Sequence, residues 1–174
     1  AHHRRIQAGI LSWGQDMDQQ HNPFQCNLGY QVSLSGKGEW KKTSDYVGKK
    51  ALEKMGAEIK AGKKPYKLQL VGIELGGKPI DDYAPDFWLI SNADGGDPVG
   101  FVTSPWWHPE KKTNIAMGYV PFDGTLNANG FPKGKVGTKF KVHLPEKYSD
   151  KPGTPVDAVI VDIPFKESYN ANTR

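Results

Sequence analysis

"KLQLVGIEL", residues 67–75, is short, apolar and bounded by Pro65 on one side and Gly76-Gly77 on the other. Those bounds are too close for a typical helix, so the segment reads as a strand. Five further segments of the same kind follow: "DFWLIS" (86–91), "PVGFVTS" (98–104), "NIAMGYV" (114–120), "TKFKVHL" (138–144) and "VDAVIVDI" (156–163). Turn signals such as Asp94-Gly95-Gly96 and Pro152-Gly153 separate them. The spacing predicts a mainly β protein, either a small closed six-stranded barrel or a sandwich, because closure removes exposed strand edges.

Upstream of residue 65 the periodicity changes. Ile6, Ile10 and Leu11, with Arg4, Arg5 and Gln7 between them, predict the end of a helix over residues 1–12. Gly14 and Asn22-Pro23 break it, since a residue before proline is pushed away from the helical region. "LGYQVSLSG", residues 28–36, alternates and reads as a strand. A second helix is predicted from an N-cap at Ser44 or Asp45 to Gly62, with Val47, Ala51, Leu52, Met55 and Ile59 on one stripe facing the core. The closing "PFKESYNANTR" reads as an arm.

A chain of 174 residues suits one domain, or a domain plus part of another, and can bury a core without disulfides. One cysteine, Cys26, and no long apolar run predict a reducing, cytoplasmic setting with no membrane span. The start at Ala1-His2-His3-Arg4-Arg5, without a methionine, reads as a piece of something longer. Ten lysines lie between Lys37 and Lys67 against Glu39, Asp45, Glu53 and Glu58, which would suit a polyanion. Only Trp40 and Tyr46 accompany them as stacking aromatics, so a solvated helix face is the better reading and no nucleic-acid partner is expected.

Phosphate-loop, dinucleotide, zinc-protease, dithiol and serine-hydrolase motifs are all missing. His2, His3, His21, His108 and His143 show no helical ligand spacing, so no metal site is expected. Asp16 and Asp18 invite an acid–base reading, although carboxylates just after a helix end more often hold backbone amides. Among the tryptophans, Trp13 in a polar turn could stack on a flat ligand while Arg5 holds an anion, or could simply cap the core. Trp106-Trp107, expected in a loop before His108-Pro109, keep a carbohydrate-binding β-domain in contention.

Read in order, "RRIQAGILSWGQDMDQQHNPFQCNLGYQVSL", "DYVGKKALEKM", "LVGIELGGKPI", "VGFVTS" and "NIAMGYV" resemble the glycine-cleavage T-protein (aminomethyltransferase) family. That family includes tetrahydrofolate-dependent demethylases of sulfonium, amine and aromatic methyl-ether substrates. The resemblance runs collinearly from about residue 4 to 165. It implies a C-terminal Greek-key-like β-barrel with one or two helices, preceded by the end of a folate-binding α+β domain. Residues 1–27 would be that remnant, 28–64 a connecting strand and helix, and 65–174 the barrel.

What the resemblance implies for chemistry is a tetrahydrofolate-dependent one-carbon transferase whose catalytic aspartate and most of whose folate cleft lie in an N-terminal region of the same protein. This stretch alone is then not expected to turn over, and that region is its first partner. Arg5 matches the family arginine that faces the cleft, and Trp13 stands where the pattern has tyrosine. Gln7 replaces the glutamate of R-L-E-A-G, Gln25 replaces the glutamate of N-P-x-E, and Tyr169 falls where a C-terminal arm returns toward the cleft. Arg5, Trp13, Gln7 and Tyr169 are therefore the expected cofactor-binding residues. The lost negative charge, the long "DDYAPDFWLISNADGGDPVG" and the bulky "SPWWHPEKKTN" favour the demethylase branch with a small methylated substrate. The aminomethyltransferase itself is the alternative, and a folate-binding or β-barrel module without turnover is a third reading.

Overall fold

A computed structural model describes residues 2–32, 45–82, 87–145 and 153–165. Six antiparallel strands close into a barrel: β1 (Leu68–Leu75), β2 (Trp88–Asn92), β3 (Gly95–His108), β4 (Thr113–Pro121), β5 (Lys139–His143) and β6 (Pro155–Val161). Around the barrel the order is β1-β4-β3-β2-β5-β6, with β6 returning to β1. The consecutive strands β2, β3 and β4, with β1 beside β4, make a Greek key.

Two apolar layers explain the strand sequences. Inside the barrel, Val71, Ile73 and Leu75 of β1 meet Trp88, Ile90, Val102, Ala116, Val120, Val142 and Ile160. Outside, Leu70, Ile115, Met117 and Tyr119 are covered by Ile6, Leu11, Ile163 and Phe165. β1 and β4 are thus buried on both faces, and they read as continuous apolar runs rather than alternating ones.

Several expectations are corrected. The first helix, α1, is His2–Gln7 rather than 1–12, because Gly9 at φ 69° receives a left-handed helix stop. The Gly9 amide donates to the Ile6 carbonyl and the Ile10 amide to the Arg5 carbonyl, the paired bonds of a Schellman cap. The second helix, α2, spans Lys49–Lys60 with Gly48, not Ser44 or Asp45, as its N-cap. It ends as expected at Gly62, again in a left-handed cap (φ 76°). Its stripe faces the core only at the far end: Ile59 is buried, Leu52 and Met55 are half-buried, and Val47 and Ala51 are exposed. Within "LGYQVSLSG" the described part is a 3₁₀ turn, Gly29–Gln31, not a strand. An added Cβ on Gly29 would lie 2.8 Å from the Phe131 ring and 2.9 Å from Phe24, so the turn is held by close packing on both sides. Residues 33–36, Trp40 and the arm beyond Phe165 lie outside the described residues.

β3 is the largest departure. It runs to His108, so Trp106 and Trp107 are strand residues paired with Ile115 and Asn114 rather than loop residues. Both are half-buried, and the His2 ring packs edge-on against Trp106 with centroids 5.2 Å apart. The loop platform on which the carbohydrate reading rested is absent.

Candidate functional site

The N-terminal segment closes on a buried ion pair of its own, and that pair is hydrogen-bonded to β3 of the barrel. Asp16 Oδ2 accepts from Arg5 Nη1 at 2.6 Å, and its side chain is fully buried. The same oxygen accepts from the Ser12 amide at 2.8 Å. Asp16 Oδ1 accepts from the hydroxyls of Thr103, at 2.5 Å, and Ser104, at 2.6 Å.

Consecutive strand residues ordinarily point to opposite faces. Here the register runs from Val102↔Gly118 to Ser104↔Met117, leaving Thr103 as the extra residue of a β-bulge. The bulge lets both hydroxyls converge on one carboxylate oxygen. Tyr119 of β4 adds a bond from its hydroxyl to the Asp16 carbonyl at 2.7 Å. Its proton being spent there, Tyr119 accepts from the Cys26 thiol at 3.4 Å. Burial pushes both the phenol and the thiol up, so both are neutral near pH 7. Replacing Tyr119 with phenylalanine keeps the packing and leaves the Asp16 carbonyl unpaired. A loss of about 1–2 kcal/mol in urea unfolding is expected.

The anchor holds a turn. The Asp16 amide returns to the Ser12 carbonyl at 2.8 Å, and Gly14, at φ 82°, lets its amide reach the Met17 carbonyl at 2.8 Å. Trp13 sits at the tip of this turn with 68 % of its surface exposed.

Asp16 and Asp18 do not act as a pair. Asp16 is saturated by its four donors, whereas the more exposed Asp18 accepts from the Gln20 amide and from His21 Nδ1, each at 2.8 Å. The Gln20 amide first, and then His21, hold the Asp18 carboxyl below its usual range. The acid–base reading of these two carboxylates therefore has no geometry behind it.

Of the four residues expected to bind cofactor, Arg5 and Trp13 share this corner. Gln7 does not: it is buried, and its amide lies 3.1 Å from His108 Nε2. Tyr169 is outside the described residues. Thr103, Ser104 and Gln15 were not singled out from sequence, although "VTS" was among the matched pieces.

The His108 ring is itself informative. The Lys111 amide donates to Nδ1 at 3.3 Å, so the neutral ring carries its proton on Nε2. The Gln7 amide, whose ends exchange by a half-turn, accepts that proton with its oxygen. Burial first, and then the neighbouring His3, push the imidazole below its ordinary 6.5. Between the folded value and 6.5 the unfolded chain binds more protons, so stability is full above 6.5 and falls as pH drops below it. Melting temperature should be flat above neutrality and decline on acidification. His108→Gln should reduce that slope without abolishing it, because burial, and then Arg5, also lower His2.

A cavity of about 490 Å³ opens elsewhere, among residues 8–11, 26–30, 127–134 and 160–164. Its walls are mainly apolar, and Lys133 at its edge is paired with Asp162 at 2.7 Å. It includes neither Arg5 nor Trp13, so the turn held by Asp16 and this cavity are separate features of the surface. Among the described residues no cluster of histidine, cysteine or carboxylate side chains could hold a metal, and no helix is long and apolar enough to cross a membrane.

No family profile matches the chain. Individual proteins do. An aminomethyltransferase from Prochlorococcus marinus (strain NATL2A) is 31 % identical over 161 residues, covering 92 % of this chain and 34 % of its own length. One from Symbiobacterium thermophilum is 32 % identical over 166 residues, covering 94 % and 35 % respectively. One from Synechococcus sp. (strain CC9902) is 35 % identical over 117 residues, covering 67 % and 27 %. These matches relate the chain to the aminomethyltransferases. The crystal structure of glycine cleavage system aminomethyltransferase T from Bartonella henselae shares the fold, with a TM-score of 0.63 and 21 % identity over 94 % of this chain and 37 % of that one. The chain spans about a third of the length of its aminomethyltransferase relatives. All three relatives are aminomethyltransferases rather than demethylases, so the alternative reading moves ahead of the demethylase one.

Proposed function

We propose that this chain is part of a tetrahydrofolate-dependent one-carbon transferase of the aminomethyltransferase type, working in the cytoplasm. The observation that carries the reading, beside the sequence similarity, is the buried Asp16 carboxylate that holds both the Arg5 guanidinium and, through the Ser12 amide, the turn bearing the exposed Trp13. A flat ring bearing a carboxylate-ended tail suits that pair: indole stacks on a heterocycle, and guanidinium binds a carboxylate. Tetrahydrofolate would supply N5 to accept the one-carbon unit. The chain's own share is to position and orient that ligand beside the remainder of the protein, which on this reading holds the catalytic aspartate.

Gln7 belongs to the support of His108 in this scheme, and Arg5 and Trp13 are the ligand-facing residues. The partners are the remaining two thirds of the polypeptide and an aminomethylated carrier, rather than a small methyl donor. The test is calorimetric titration of the intact protein with tetrahydrofolate. Binding should weaken about tenfold in Trp13→Ala, the loss of one stacked ring. Equal affinity of the wild type and Trp13→Ala would remove Trp13 from the site.

A further inference from the structure

All five N–H groups of Arg5 are spent inside the chain. Nε donates to His2 Nδ1 at 3.3 Å, and Nη1 donates to the Ile10 carbonyl at 3.2 Å and to Asp16 at 2.6 Å. Nη2 donates to Gln15 Oε1 at 3.1 Å and to Ser104 Oγ at 2.8 Å. A guanidinium has five donors and no acceptor, so no donor is left over for a ligand. Yet the Arg5 side chain remains 17 % exposed. An incoming anion has to take the place of a partner already there.

The partners are unequal. Asp16 is charged and buried, and the Ser104 hydroxyl is committed to both Arg5 and Asp16. Gln15 is different: it is a neutral amide, half-buried, on the same turn as Trp13. Its Nε2 donates to the Thr103 carbonyl at 2.9 Å, which fixes the oxygen as the end facing Arg5. A carboxylate forms a stronger bond to guanidinium than an amide oxygen does.

We propose that Gln15 is a gate on Arg5: its Oε1 holds the place of a ligand carboxylate oxygen on Nη2 and yields that place when the ligand binds. The inference rests on the reading of Arg5 as ligand-facing. While the gate is closed the site is occupied from within, and apparent affinity falls by the fraction of molecules that are open. The device favours carboxylates, which can outcompete an amide, over neutral ligands, which cannot. Asp16 and Ser104 meanwhile keep the guanidinium oriented through the exchange.

The probe is formate, titrated into the purified chain while the Arg5 guanidinium ¹⁵N signals are followed. Arg4 and Arg174 are the only other arginines. Gln15→Ala should bind formate about threefold to tenfold more tightly than the wild type. Gln15→Met, which keeps the side-chain length, should behave in the same way and guards against a local collapse in the alanine variant. Gln15→Glu places a permanent carboxylate against Arg5 and should abolish the saturable shift. Equal affinity in the wild type, Gln15→Ala and Gln15→Met overturns the gate, as does wild-type binding in Gln15→Glu. Competition by 5-formyltetrahydrofolate is read separately, on the intact protein used for the calorimetric titration: a gate that opens to formate while the folate fails to compete there sustains this inference and sinks the folate reading.

Discussion

Asp16→Ala is expected to destabilise the chain by about 3–5 kcal/mol, because it strips the one carboxylate that the described residues place on a largely buried guanidinium. Asp16 Oδ1 and Oδ2 together accept from Arg5, Ser12, Thr103 and Ser104. Removing them leaves one charge and three neutral donors without their acceptor. The turn carrying Trp13 and the bulge of β3 meet at this one side chain, so the damage should not stay local. Urea unfolding monitored by far-UV circular dichroism gives the free-energy loss. An Asp16→Ala midpoint close to that of the wild type would mean that the ion pair is incidental to the packing of residues 2–28 on the barrel. Asp16→Asn should fall between the two, since it keeps an acceptor oxygen and loses the charge.

Gly100→Ala is expected to be about as severe, at about 3 kcal/mol or more, for a steric reason. A Cβ at Gly100 would run into the Tyr119 carbonyl oxygen across the β3–β4 pair. Gly118 is the reciprocal case, its Cβ lying 2.7 Å from the Phe101 carbonyl oxygen. In both the obstacle is backbone, which cannot swing aside. Glycine at these two positions leaves the facing backbone the room that a Cβ would take. Gly95→Ala is the control: nothing lies within 4 Å of its Cβ, so it should cost only about 1 kcal/mol for a positive φ of 95°. Soluble yield and urea midpoints of the three variants separate the steric account from a general intolerance of alanine.

The strands were legible because their sequences are short, apolar and punctuated by Gly and Pro. "NIAMGYV" and "KLQLVGIEL" correspond to β4 and β1 within a residue or so at each end. The Trp106-Trp107 stretch was misread because Pro105 and two bulky rings look like a loop, whereas the bulge at Thr103 lets β3 continue through Pro105 to His108. The length of α1 was misread because Ile10 and Leu11 continue the helical spacing beyond a Gly9 cap that only the backbone reveals. At the site, Arg5 and Trp13 were visible as residue types suited to an anion and a ring. Their joint anchor was not, because Thr103 and Ser104 lie 88 residues or so from Asp16 and reach it only through the bulge. Gln7 looked like a substituted ligand residue, and it packs instead against His108 of the same outer layer.

The measurement that tests the central claim most directly is product analysis with the polypeptide encoded by the full reading frame that contains this chain. It is supplied with tetrahydrofolate and, in parallel, with an aminomethylated lipoyl carrier protein or with small S-, N- and O-methyl donors. The account predicts ammonia and 5,10-methylenetetrahydrofolate from the carrier protein, with the carrier left as the free dithiol and no product from the methyl donors. It also predicts that Trp13→Ala loses about tenfold in kcat/KM for tetrahydrofolate. Formation of 5-methyltetrahydrofolate from a methyl donor, with the carrier untouched, would contradict it.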